Sequence, residues 1–176
     1  MTEKLSFRGE RRADEITALL LPLQRGLQLL IPNVTMAELA PTDTPTDDGA
    51  VEQQPEWLGG QVLWRGSGVP LVRWEALAGH MLQEDSDERR YAVINRLYDT
   101  LQTPFYAIMV QGIPRMLHVA PDTLNAAVAG HVSGEIADAA SEPAPGTLFT
   151  VDTELGRAVI PDVAWLEKQL AKALRQ

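Results

Sequence analysis

The chain has 176 residues, no cysteine, and 15 Lys and Arg against 24 Asp and Glu, a formal charge of −9. No disulfide framework, thiolate nucleophile or cysteine metal site can exist in it. The acidic balance disfavours nucleic acid and anionic lipid as partners unless a local patch reverses the sign. No run reaches the roughly 20 apolar residues of a membrane span, and the first apolar run lacks a signal-peptide cleavage pattern. Together with the missing cysteine, this leads us to expect a soluble cytoplasmic protein with no direct membrane insertion. The length suits one domain, or two small barrels fused across a shared core, and allows burial of roughly 70% of the unfolded surface.

Residues 1–14 are polar and hold the basic cluster Lys4, Arg8, Arg11 and Arg12. We read them as a flexible tail. Ile16 to Leu23 is apolar nearly throughout, the pattern of a strand buried on both faces. Gln24-Arg25-Gly26 turns it and Leu27 to Ile31 returns. After Pro32-Asn33, the residues Val34, Met36 and Leu39 punctuate a segment ending at Pro41. Pro41 to Pro55 is a polar connection without periodicity. Its Asp47 and Asp48 lack the repeated oxygen ligands of a calcium loop.

The centre of the chain is Trp57 to Gly79. Two apolar runs, Gln61–Trp64 and Val69–Trp74, flank Arg65-Gly66-Ser67-Gly68, and the glycines supply the positive φ of a β-hairpin turn. Pro70 belongs at an edge or at a first ladder position. Trp74 to Ala78 predicts one helical turn stopped by Gly79.

Gln83 to Arg90 is a charged loop. Tyr91 to Leu97 and Phe105 to Val110 predict a second strand pair, joined by Tyr98–Pro104. Pro114 ends its regular pairing and His118-Val119-Ala120-Pro121 closes the unit. This section repeats the plan of residues 16–39, so the chain reads as two copies of one design. Leu124 to Pro145 is a loop with a short strand near His131–Ile136. Leu148–Val151 and Arg157–Ile160 form a last hairpin. A helix then starts at Asp162, whose carboxylate can accept first-turn N–H groups. Leu166, Leu170 and Leu174 make its apolar face, and Lys168, Lys172 and Arg175 suit its C-terminal half.

No constellation for catalysis emerges. His80, His118 and His131 stand apart from one another and from any metal-ligand spacing. Gly66-Ser67-Gly68 is no nucleophile elbow, and no Lys-Ser/Thr follows to complete a phosphate cradle. The four carboxylates of Glu84, Asp85, Asp87 and Glu88 read as a solvated loop. Of the four tryptophans, Trp74 and Trp165 read as core. Trp57 and Trp64 stay open between core packing and partner anchor.

In the central hairpin Gly60, Val62, Trp64, Arg65, Gly66, Pro70, Leu71, Val72 and Trp74 fall in register with a pattern of the CheW-like chemotaxis coupling proteins: a Gly, then Val-Ile-Asn-Leu-Arg-Gly, a spacer, and Pro-Val-Val-Asp-Leu. Three further blocks follow in order: Ile31-Pro32 with Met36-Ala37-Glu38-Leu39, Ala107 to Ile113, and Pro161 to Leu166. The resemblance spans residues 16–166. Leu63 replaces the usual Asn, and Arg73 and Gln111 each replace an Asp. Those departures resemble the ChpC or PilI type, which serves type IV pilus (twitching motility) chemosensory systems.

The resemblance implies a mainly β fold of two small SH3-like β-barrels sharing a hydrophobic core, with a C-terminal helix. The domain would run from 15 to 166, with 167–176 completing the helix. It further implies a non-catalytic adaptor, without cofactor or metal, linking the cytoplasmic tip of a chemoreceptor to the regulatory SH3-like domain of a histidine kinase. Contact positions carried over are Met36, Glu38 and Leu39, then Gly60, Leu63, Arg65 and Gly66, and finally Val110, Ile113 and Arg115 lining a groove between the barrels. Period-two alternation would place Leu63 and Arg65 on one strand face. The rival reading is a single β-barrel carrying a small apolar ligand, which requires a real internal cavity.

Overall fold

The computed structural model describes residues 15–47, 54–120, 125–127 (backbone only) and 144–175. The tail at 1–14 and the expected strand at His131–Ile136 lie outside them. The first half contains β1 (Ile16–Pro22), β2 (Gln28–Pro32), β3 (Met36–Ala40), β4 (Thr46–Asp47), β5 (Leu58–Trp64), β6 (Ser67–Val72) and helix α1 (Trp74–Leu77). The second half contains β7 (Arg89–Asn95), β8 (Phe105–Gln111), β9 (Arg115–Val119), β10 (Asn125–Ala127), β11 (Thr147–Thr153), β12 (Gly156–Pro161) and α2 (Val163–Ala173).

These strands form two six-stranded sheets, ordered β10-β11-β12-β2-β1-β9 and β3-β7-β8-β6-β5-β4. Each half donates one strand to the other's sheet. β3 leaves the first hairpin to pair with β7, and β9 leaves the second to pair with β1. The closing contacts repeat as well: β6 lies parallel to β8, and β12 lies parallel to β2. The internal repeat read between residues 16–39 and 91–121 therefore extends, among the described residues, through the twelve strands and the two α-helices.

The alternation of side chains divides the apolar residues among three cores. On β1 and β2, Ala18, Leu20 and Leu30 face the core of the first barrel, while Leu19, Leu21, Leu29 and Ile31 face a core shared by both barrels. On β7 and β8, Tyr91, Val93, Ala107 and Met109 fill the second barrel, while Ala92, Ile94, Tyr106, Ile108 and Val110 face the shared core. Double-sided burial is the reason these strands read as continuous apolar runs. Pro70 sits in the part of β6 that pairs with β5 alone, since β8 joins only at Leu71 and Val72; its missing N–H leaves no broken ladder bond.

Two buried carboxylates tie the helices to the hairpin turns. Glu75 of α1 is 2% exposed and accepts from Gln24 N at 2.8 Å. Glu167 of α2 is fully buried and accepts from Leu97 N at 2.7 Å and Tyr98 N at 2.9 Å. They occupy corresponding places in the two halves. Asp162 caps α2 as expected, accepting from Trp165 N at 2.9 Å. Leu166 and Leu170 are buried, but Leu174 is 43% exposed, at the edge of a cleft beside Gln61 and Pro70.

Several expectations are corrected. The polar connection Pro41–Pro55 contains β4, which pairs with Gln61 and Val62. The segment Leu124–Pro145 contains β10. The single-barrel carrier does not stand either. There are two barrels, and the apolar cavity at their junction, beside Ile31, Tyr106 and Leu166, measures only about 60 Å³; the larger cleft at one end of the second barrel is lined mainly by polar groups.

Candidate functional site

The β5–β6 hairpin places most of the carried-over contact residues. Along β5 the residues Leu58, Gly60, Val62 and Trp64 point inward, and Gln61 and Leu63 point out. Trp64 pairs with Ser67, so the turn is the two residues Arg65 and Gly66. Their φ values are 49° and 78°, the paired left-handed conformation whose twist matches a hairpin. Ser67 and Gly68, expected in the turn, begin β6; Gln61 Oε1 lies where a Cβ on Gly68 would stand.

A non-glycine residue in this conformation costs about 1–2 kcal/mol, and Arg65 makes two compensating contacts. Its guanidinium carbon lies 4.7 Å from the centre of the Trp64 ring. Its Nη2 and Nε donate to Glu38 Oε2 at 2.7 and 3.2 Å. Arg65 therefore does not share a strand face with Leu63, because alternation ends at Trp64 and the turn swings the guanidinium over the inward-facing indole. The pair joins the hairpin tip to β3 at the far edge of the sheet and closes this end of the second barrel. Trp64 is 8% exposed, with its ring edge-on to Phe105 at 4.9 Å. It is core, which resolves one of the two open tryptophans; Trp57 is half-buried and packs on the shared core.

The carried-over residues fall into three groups. Glu38, Arg65 and Gly66 gather at the hairpin tip, with Leu63 47% exposed on the outer face of β5. Met36 and Leu39 are half-buried against the shared core, and Gly60 is buried with φ 77° at the irregularity between Leu58 and Gln61, a position of backbone need. Ile113, 68% exposed, and Arg115, which donates to Gln28 Oε1 at 3.4 Å, lie on the crossing from β8 to β9. Val110 is a correction. It is fully buried beside Ile108 in the shared core and lines no open groove.

Sequence reading missed two exposed apolar residues near the crossings, Val34 at 84% and Met116 at 59%. Alternation over Arg115–Val119, with Leu117 and Val119 buried, would have exposed Met116. Val34 lies in a helical turn between β2 and β3, where no period applies.

Two of the three departures from the family pattern serve a different purpose. Arg73 pairs with Asp85 at 2.8 Å, and both side chains are 22% exposed. Gln111 Oε1 accepts from Ser86 N at 3.1 Å and Ser86 Oγ at 2.9 Å. Gln24 completes the clasp, donating to Gln83 O at 2.9 Å and accepting from Gln83 N at 2.8 Å, as a neighbouring strand would. The start of the charged loop is thus a strap held flat by three polar side chains, and its end, Arg89 and Arg90, begins β7.

No known protein-family profile matches the chain, and no curated protein matches it in sequence. Among solved structures, the crystal structure of scaffolding protein TtCheW from Thermoanaerobacter tengcongensis superposes with a TM-score of 0.59 at 12% identity, over 83% of this chain and 88% of that one. The likeness establishes the architecture: two SH3-like barrels with a shared core and a C-terminal helix.

Proposed function

We propose that this chain is a chemosensory coupling protein of the CheW-like kind, a cytoplasmic adaptor without catalytic activity. It links the tip of a chemoreceptor to the regulatory SH3-like domain of a histidine kinase. The observation that carries the reading is the hairpin tip, where an exposed guanidinium is held on Trp64 and Glu38, with Leu63 exposed on the outer face of the adjoining strand. A rigid β scaffold presenting an apolar side chain and a preorganised cation is what recognition requires, with no reactive group. The TtCheW likeness supports the scaffold on which the tip sits.

The finer reading is a place in type IV pilus signalling. Of the three departures from the general pattern, Arg73 and Gln111 are spent internally on the strap. Leu63 alone faces solvent, so it is the residue that would distinguish the partner of a twitching-motility system from a general chemotaxis receptor.

The experiment is calorimetry of the full chain against purified kinase regulatory domains and receptor-tip fragments, from both chemotaxis and pilus systems. Wild type should bind one kinase and one receptor fragment. Arg65→Gly should lose at least one of them while the fold persists, because glycine relieves the left-handed strain that the lost Trp64 and Glu38 contacts offset. Leu63→Asn should shift preference toward the chemotaxis receptor fragment. Failure of the wild type to bind any fragment, or unchanged binding by both variants, refutes the reading.

A further inference from the structure

The second barrel is shut at one end and open at the other. Trp64, Phe105 and the Arg65–Glu38 pair close the hairpin end. At the opposite end a cleft of about 500 Å³ opens between β5, β6, β7 and the strap, a volume within the usual range of small-molecule sites. Its floor is the top of the barrel core, where Leu71 and Tyr91 are 2% exposed and Met109 is 7% exposed. Gly59 stands in the wall and contributes no side chain to fill it.

The rim carries four charged groups of balanced sign: Arg73, Arg89, Glu56 and Asp85. Arg73 and Asp85 neutralise each other. That leaves one cation and one anion. The Arg89 guanidinium lies beside the Tyr91 phenol and within the field of Asp85 and Asp87, but makes no direct ion pair among the described residues. Glu56 is exposed and likewise has no ion-pair partner among them.

This arrangement selects a ligand class. An anion entering the cleft meets Glu56 and Asp85 as well as the arginines, and a cation meets the arginines as well as the carboxylates. Either leaves a like charge close by in a partly desolvated site. A molecule with both charges and an apolar group satisfies every wall at once. We propose that the open end of the second barrel binds a zwitterion of the class of apolar α-amino acids. The side chain rests on Leu71 and Met109, the carboxylate meets Arg89, and the ammonium meets Glu56. This inference goes beyond the coupling reading and stands without it.

The test is calorimetry and thermal shift of the full chain with leucine, isoamylamine (no carboxylate), 4-methylpentanoate (no ammonium) and glycine (no apolar group). Leucine should bind at millimolar concentration or below and raise the melting temperature, and the other three should do neither. Glu56→Gln and Arg89→Met should each weaken leucine binding by about tenfold or more. Glu56→Gln should keep the ligand-free melting temperature, since that side chain is exposed. The proposal is overturned if leucine, methionine and phenylalanine all fail to bind at millimolar concentration. It is also overturned if 4-methylpentanoate or isoamylamine binds as well as leucine, or if neither variant weakens leucine binding. Kinase-fragment affinity measured on the same Glu56→Gln protein keeps this outcome separate from that of the coupling reading.

Discussion

Glu167 is the buried group whose removal should cost this fold most per atom. Its carboxylate is fully buried and is the acceptor for two backbone donors, Leu97 N at 2.7 Å and Tyr98 N at 2.9 Å. Glu167→Ala strands both N–H groups beneath α2. Each unsatisfied buried donor costs about 1–3 kcal/mol. Relief of the carboxylate's own desolvation offsets part of that, so the net loss should be about 3 kcal/mol. For a domain of this size, each kcal/mol lowers the melting temperature by about 2–4 °C, giving a fall of roughly 6–12 °C. Glu167→Gln keeps one acceptor and should lose about half as much. Glu154→Ala, an exposed carboxylate in the β11–β12 turn, is the control and should stay within about 0.5 kcal/mol. Thermal unfolding by circular dichroism with parallel urea titrations measures all three. If Glu167→Ala melts with wild type, the carboxylate does not clamp the β7–β8 turn and the reasoning fails.

Burial, reinforced by the Glu167 carboxylate, raises the ionisation of Tyr106 well above that of an ordinary phenol. The raised group contributes stability that is complete below the unfolded value of about 10 and is lost as pH rises through the folded value. Wild type should therefore lose more stability between about pH 8 and about pH 11 than Tyr106→Phe does in urea titrations; equal losses would contradict this. Gly66→Ala should cost about 1 kcal/mol through its left-handed conformation, since no atom lies within 4 Å of the added Cβ; an unchanged melting temperature would show that the turn relaxes freely. Val110→Ala should destabilise by about 2 kcal/mol with no separate loss of kinase-fragment affinity, and a selective binding defect in a normally stable variant would return this residue to the interface.

Much of the architecture was legible because burial leaves a periodic trace. Double-sided burial made β1 and β8 recognisable as continuous apolar runs, and the Asp162 cap and the Leu166–Leu170 spacing marked α2. The hairpin turn was read two residues too long because glycine signals a turn whether it supplies φ or merely space. Gly66 supplies φ, whereas Gly68 leaves room for the Gln61 side chain. The two-residue β4 and three-residue β10 carry too few residues to show any period.

The two-barrel fold was implied by the family resemblance, whereas the sequence by itself determined the main strands, the duplication and an arginine in the segment linking the central hairpin. These follow from local periodicity and turn chemistry, which depend on neighbours along the chain. Tertiary structure alone decided what that arginine touches. Glu38 lies 27 residues away from Arg65, and only the curling of the sheet brings β3 to the hairpin. It also decided that Arg73, Gln111 and Gln24 clasp one strap. Side chains from distant strands converge there through barrel closure, and no one-dimensional pattern encodes that convergence.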